Sequence, residues 1–97
     1  MGTNPLLNEI RQKIIPLLKE HNVTKAGIFG SYARGEQDNK SDVDILVEIG
    51  GGTDLIELIR LRAKLQNMIK RKVDLVEYGS IRSEIRNSIL RDEFRIL

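Results

Sequence analysis

The sequence predicts an α/β (α+β) fold, a three-stranded mixed sheet with helices packed on one face. Three observations carry this. Two stretches, 5–20 and 54–69, repeat apolar residues at helical spacing. Three short apolar runs, near 23–29, 42–49 and 72–76, are bounded by turn residues and read as strands. The two kinds of segment alternate along 97 residues, a length that implies one domain spanning 1–97.

The first helix is expected to start at Pro5, with Asn4 as N-cap. Leu6, Leu7, Ile10, Ile14, Ile15 and Leu18 form its apolar stripe, while Pro16 predicts a kink or an early end. His21-Asn22 ends it. The first strand covers Val23 to Phe29, and Gly30-Ser31 turns sharply into a short helical piece at 32–34 that Gly35 closes. After a polar loop, the second strand runs from Asp42 to Ile49. Gly50-Gly51-Gly52 breaks it, and Thr53 caps a long helix. In that helix Leu55, Ile56, Leu58, Ile59, Leu61, Leu65, Met68 and Ile69 are expected on the buried side. The third strand is 72–76. The last helix runs from Ile81 to about Arg91, with Ile85, Ile89 and Leu90 inward. The long helix is sufficient for a crossover, so the second and third strands should be parallel, whereas the short link between the first two suits an antiparallel pair.

Composition narrows the function. The chain has no Cys, which removes disulfides, thiolate metal sites and Cys nucleophiles. Charge interrupts every apolar stretch, so no segment is expected to span a membrane, and no signal-peptide pattern is present. A cytoplasmic location is expected. The net charge of +2 is spread along the chain and does not by itself argue for nucleic acid, so direct nucleic-acid binding is not expected. Lys70, Arg71 and Lys72 form one small cluster, read as a solvated helix end.

Three carboxylates stand out. Asp42 and Asp44 flank Val43, and side chains two apart on a strand share a face, with Cα atoms about 6–7 Å apart. Like charges so close to an apolar wall repel each other, and a hard divalent cation such as Mg²⁺ relieves that repulsion. Asp74 interrupts another apolar strand and joins the same face if the two strands are parallel neighbours. Three acids around one point suit a two-metal site, and the third could also take a proton from an incoming hydroxyl. Gly30-Ser31, at a strand end that opens a helix, offers N–H groups and a hydroxyl to phosphate, and Arg34 lies one turn further on. Each piece also has a plainer explanation. Gly30-Ser31 could be only a cap, Asp42 a turn residue, Asp74 an edge acid or a partner of Arg71 or Lys72, and Arg34 a surface cation. His21 reads as a loop histidine, and Tyr32 and Tyr78 as packing residues. The combination is far less expected by chance than any part.

The run from Gly30 to Val47, GSYARGEQDNKSDVDILV, resembles the signature of the DNA polymerase beta nucleotidyltransferase superfamily: Gly-Ser, then Ala-Arg-Gly, then Ser-Asp-x-Asp and apolar residues. Size and element order are similar to its minimal nucleotidyltransferase (MNT) members, and Asp74 resembles the third carboxylate. The resemblance implies a polymerase-beta-like fold, two Mg²⁺ ions on Asp42, Asp44 and Asp74, and the β- and γ-phosphates of ATP on Gly30 and Ser31. It also implies attack on the α-phosphorus with release of pyrophosphate. Minimal members commonly accompany a HEPN-family toxin, so the implied function is an antitoxin that adenylylates its toxin, typically on tyrosine. With only Arg91 to Leu97 after the last helix, the acceptor surface is expected to come mostly from elsewhere; Phe94, Ile96 and Leu97 could be a docking element or core. Two alternatives remain: a catalytically weak antitoxin that acts by binding, and a nucleotidyltransferase for RNA or a small molecule.

Overall fold

The computed structural model describes residues 5–52 and 54–97. Helix α1 is Pro5–Glu20, strand β1 is Val23–Phe29, and helix α2 is Gly30–Arg34. Strand β2 is Val43–Ile49, helix α3 is Leu55–Ile69, and strand β3 is Val73–Glu77. A 3₁₀ turn at Tyr78–Ser80 leads to helix α4, Ser83–Asp92, and strand β4, Phe94–Arg95.

Helix α1 continues through Pro16, which sits exposed on its outer side; Leu7, Ile10, Ile14, Leu17 and Leu18 are buried. The missing proline N–H removes one bond of the ladder without ending the helix. Asn22, at φ +62°, turns the chain into β1. Asn4 and Thr53, the expected caps, lie outside the described residues. Asp54 caps α3, its carboxylate accepting from the Ile56 N–H at 3.0 Å.

The sheet has four strands in the order β3-β2-β1-β4, one more than expected. Strands β1 and β2 are antiparallel, β2 and β3 parallel, and β4 lies antiparallel on the free edge of β1. Beyond β4, the Ala26 carbonyl accepts from the N–H groups of Ile96 (2.9 Å) and Leu97 (3.1 Å). Ile96 is buried, and Phe94 and Leu97 pack against the core, so the C-terminal apolar residues are core.

The alternation of β2 divides the packing. Val43, Ile45 and Val47 meet Ile14 and Leu18 of α1 and Leu61 and Leu65 of α3. Leu46, on the opposite face, packs with Tyr78 and Ile81 and with half-buried Phe29, Val76 and Ile89. Helix α4 therefore covers the face that α1 and α3 leave, and the helices do not all share one side as expected. Only Ile89 of its three expected inward residues packs; Ile85 and Leu90 are exposed. In α3 the buried stripe is Leu61, Leu65 and Ile69, while Leu55, Ile56, Ile59 and Met68 face solvent. One helix face can press against a sheet, and α3 carries more apolar residues than that face holds.

Candidate active site

The Val43 N–H donates to the Lys72 carbonyl at 2.8 Å, tying the starts of β2 and β3 together. This sets a register in which Asp44 stands beside Asp74. Neighbours in a parallel register project to the same face, here the face of Leu46 and Val76. Asp42 lies just ahead of β2, which begins at Val43, one residue later than expected. Its approach loop is held by a tight turn: the Asp38 N–H donates to Ser41 Oγ (2.9 Å) and the Lys40 N–H to Asp38 Oδ1 (2.8 Å).

Asp44 is half-buried, and its carboxyl is pushed up to about 6. Burial is the main cause, followed by the negative charges of Asp74 and then Asp42; Arg34 acts in the opposite direction. The three acids thus share one electrostatic neighbourhood.

The glycine–serine turn meets this neighbourhood directly. Phe29, the last residue of β1, pairs with Asp44, so α2 begins opposite that acid. Gly30 adopts φ +73°, and a Cβ there would run into Asp44 Oδ2. Glycine is required both for the backbone conformation and for the close approach. No side chain caps the first turn of α2, and N–H groups at a helix start are the kind of donor that suits an anion. Buried Tyr32 anchors this short helix, and Gly35, at φ +72°, closes it as expected. Arg34 lies near the acids but is occupied: its Nε donates to Glu36 Oε1 (2.9 Å) and its Nη1 to Asp92 Oδ2 (3.4 Å). A phosphate would have to compete with both carboxylates for it.

Sequence reasoning missed a contact on the Leu46 face of the sheet. The Tyr78 hydroxyl donates to Glu93 Oε2, and the Glu93 side chain lies where a Cβ of Gly27 would be. Burial and the Glu93 carboxylate raise the Tyr78 hydroxyl, and Lys25 Nζ stands 4.3 Å from the centre of its ring. A glycine inside an apolar strand was the available signal of a close approach. His21 lies among Lys64 (3.2 Å) and Glu57 (3.9 Å), consistent with a loop position.

Among the described residues, no three His, Cys, Asp or Glu side chains close into a ready-made metal cage. Mg²⁺ does not need one, since it takes one or two carboxylates and completes its shell with waters and substrate phosphates. The acids here fit that habit. Asp44 is held against its own ionisation by burial and then by Asp74 and Asp42, and a cation would favour the ionised form.

A sheet whose strand ends bring paired acids against a glycine–serine helix start defines a nucleotidyltransferase. The chain belongs to the family described as polymerase beta, nucleotidyltransferase, whose model matches residues 12–97. It is 46% identical over 91 residues to a Methanocaldococcus jannaschii protein provisionally named a protein adenylyltransferase, covering 94% of this chain and 98% of that protein. Its fold matches a crystal structure of a toxin–antitoxin with AMP-PNP (TM-score 0.80, 29% identity, 90% of this chain and 72% of the other). It also matches the structure of a tri-AMPylated Shewanella oneidensis HEPN toxin in complex with its MNT antitoxin (TM-score 0.74, 25% identity, 93% and 71%).

Proposed function

We propose that this chain is a single-domain, Mg²⁺-dependent protein adenylyltransferase. It moves AMP from ATP to a hydroxyl, a tyrosine, of a partner HEPN toxin and so acts as the antitoxin. The observation that carries this is the packing of Gly30 onto Asp44, which stands beside Asp74. The similarity to complexes of a HEPN toxin and to a nucleotide-analogue complex supports both the partner and the donor.

In this account Ser31 and the first N–H groups of α2 hold the β- and γ-phosphates. Asp42, Asp44 and Asp74 hold the metal. When bound there, Mg²⁺ supplies charge neutralisation at the phosphates. Asp74, the more exposed acid, accepts the proton of the acceptor hydroxyl. The acceptor oxygen then bonds to the α-phosphorus, the bond to the β-phosphate oxygen breaks, and pyrophosphate leaves carrying the electron pair. Such transfers depend mainly on positioning and electrostatics, which a rigid register and a fixed turn provide. Among the described residues no helix is long and apolar enough to cross a membrane, and we take the compartment to be the cytoplasm.

The test mixes the protein, Mg²⁺ and α-labelled ATP with its HEPN partner and, separately, with RNA. Label on the toxin that disappears when its tyrosines are replaced by phenylalanine supports the proposal. Label on RNA alone, or toxin neutralised without label, contradicts it.

A further inference from the structure

A cavity adjoins the acids at Asp42. It has a volume of about 450 Å³ and opens between the start of α1, the 37–42 loop and the end of α3. Lys40, Lys70, Arg71 and Lys72 line it, together with Gln37, Asp38 and Asp42. None of these four cations takes part in an ion pair among the described residues. Asp38 already accepts the Lys40 N–H and the Ser41 hydroxyl. A helix end favours cations at Lys70 to Lys72, but it does not account for Lys40, which comes from a separate loop. Gln37 adds an independent observation. Its Oε1 is sealed from solvent and has no hydrogen-bond partner among the described residues, a costly state for an amide oxygen.

We propose that this cavity is a nucleoside monophosphate site, separate from the Gly30–Ser31 turn and touching the catalytic acids only at Asp42. Its size suits a small ligand. The unpaired cations take the phosphate, and Gln37, half-buried on the wall, turns to accept from a ribose hydroxyl or base amine. The nucleotide comes either free or as the end of a nucleotide chain built on the acceptor. Binding stands apart from the proposed transfer reaction, because the site needs neither metal nor partner.

The test is an NMR titration of the ¹⁵N-labelled whole chain in chelator. The probes are AMP, the 5′-phosphorylated diadenylate, inorganic phosphate and adenosine. Saturable shifts of the amides of 37–42 and 70–72, larger than those of 30–31, are expected. AMP should bind more tightly than phosphate or adenosine. A diadenylate tighter than AMP identifies a chain end, and a tighter AMP identifies free nucleotide. Exposed Arg71→Glu should weaken AMP binding roughly tenfold with the melting temperature unchanged. Gln37→Leu should reduce the preference for AMP over phosphate by roughly fivefold. Shifts confined to 30–31 and the acids, phosphate as tight as AMP, or AMP affinity unaltered by Arg71→Glu would overturn the assignment. If AMP binds here while no adenylyl transfer occurs under any condition, only the proposed function fails.

Discussion

Asp44 and Asp74 are partners in the parallel register of β2 and β3, and their carboxylates face the same side of the sheet. Neither is placed by local structure alone. The pairing depends on α3 carrying the chain back to β2 and on the Val43–Lys72 hydrogen bond that sets the stagger.

Replacing Asp44 with Asn keeps the side chain's shape while removing the charge. Under the proposed reaction, adenylyl transfer should fall by roughly 10²-fold or more, because a metal ligand and its charge would be lost together. Circular dichroism should show an unchanged fold. Transfer within a few-fold of wild type would remove Asp44 from the site.

The pH dependence of stability follows from the same acid. Its folded-state value lies near 6, above the ordinary 3.8, so the neutral form is the one the fold favours. Below about pH 4 this contribution is fully present, and it is lost as pH rises through 6. The loss should amount to about 1–2 kcal/mol once the partial exposure of Asp44 is discounted. Urea unfolding of metal-free protein from pH 4 to 7 measures it, and Asp44→Asn should flatten the curve over that window. Mg²⁺ should reduce the loss by favouring the ionised acid. A stability that rises between pH 4 and 6 in the wild type but not in Asp44→Asn contradicts this electrostatic picture.

Gly30→Ala forces a Cβ into a left-handed conformation and against Asp44 Oδ2. The backbone alone should cost about 1–2 kcal/mol. Transfer should fall further than stability, since the displaced carboxylate is the one beside Asp74. Thermal melts and label transfer on the same sample separate the two effects. An alanine variant as stable and as active as wild type would show that the turn does not press on the acid.

Much of this was legible in the sequence. Strand β1 spans Val23–Phe29 as expected, because a short apolar run sits between a helix stop and a glycine. The acids, the turn and the parallel pairing follow from alternation and connection length. Strand β4 was not legible, since two residues carry no period and exist as a strand only through their bonds to β1. The exposure of Leu55, Ile56 and Ile59 was hidden for a different reason. An apolar residue at helical spacing does not say which arc of the helix the sheet will cover. The Tyr78–Glu93 contact joins two elements that only the opposite-face packing of α4 brings together.

The terminal segment offers a test of that missing strand. Ile96→Ala should destabilise the chain by about 2–4 kcal/mol, since its side chain is buried in the main core. A loss under about 0.5 kcal/mol in urea unfolding would mean that the end of the chain is not core.

The proposed convergence of the acids on metal beside the glycine–serine turn is tested most directly without turnover. Mn²⁺ is titrated into ¹⁵N-labelled protein bound to a nonhydrolysable ATP analogue, and paramagnetic broadening of each amide is followed. Broadening should centre on Gly30, Ser31, Asp42, Val43, Asp44 and Asp74 together, and Asp44→Asn should abolish it. Broadening that leaves Asp74 sharp while Asp42 and Asp44 vanish, or that survives Asp44→Asn unchanged, would contradict a shared site.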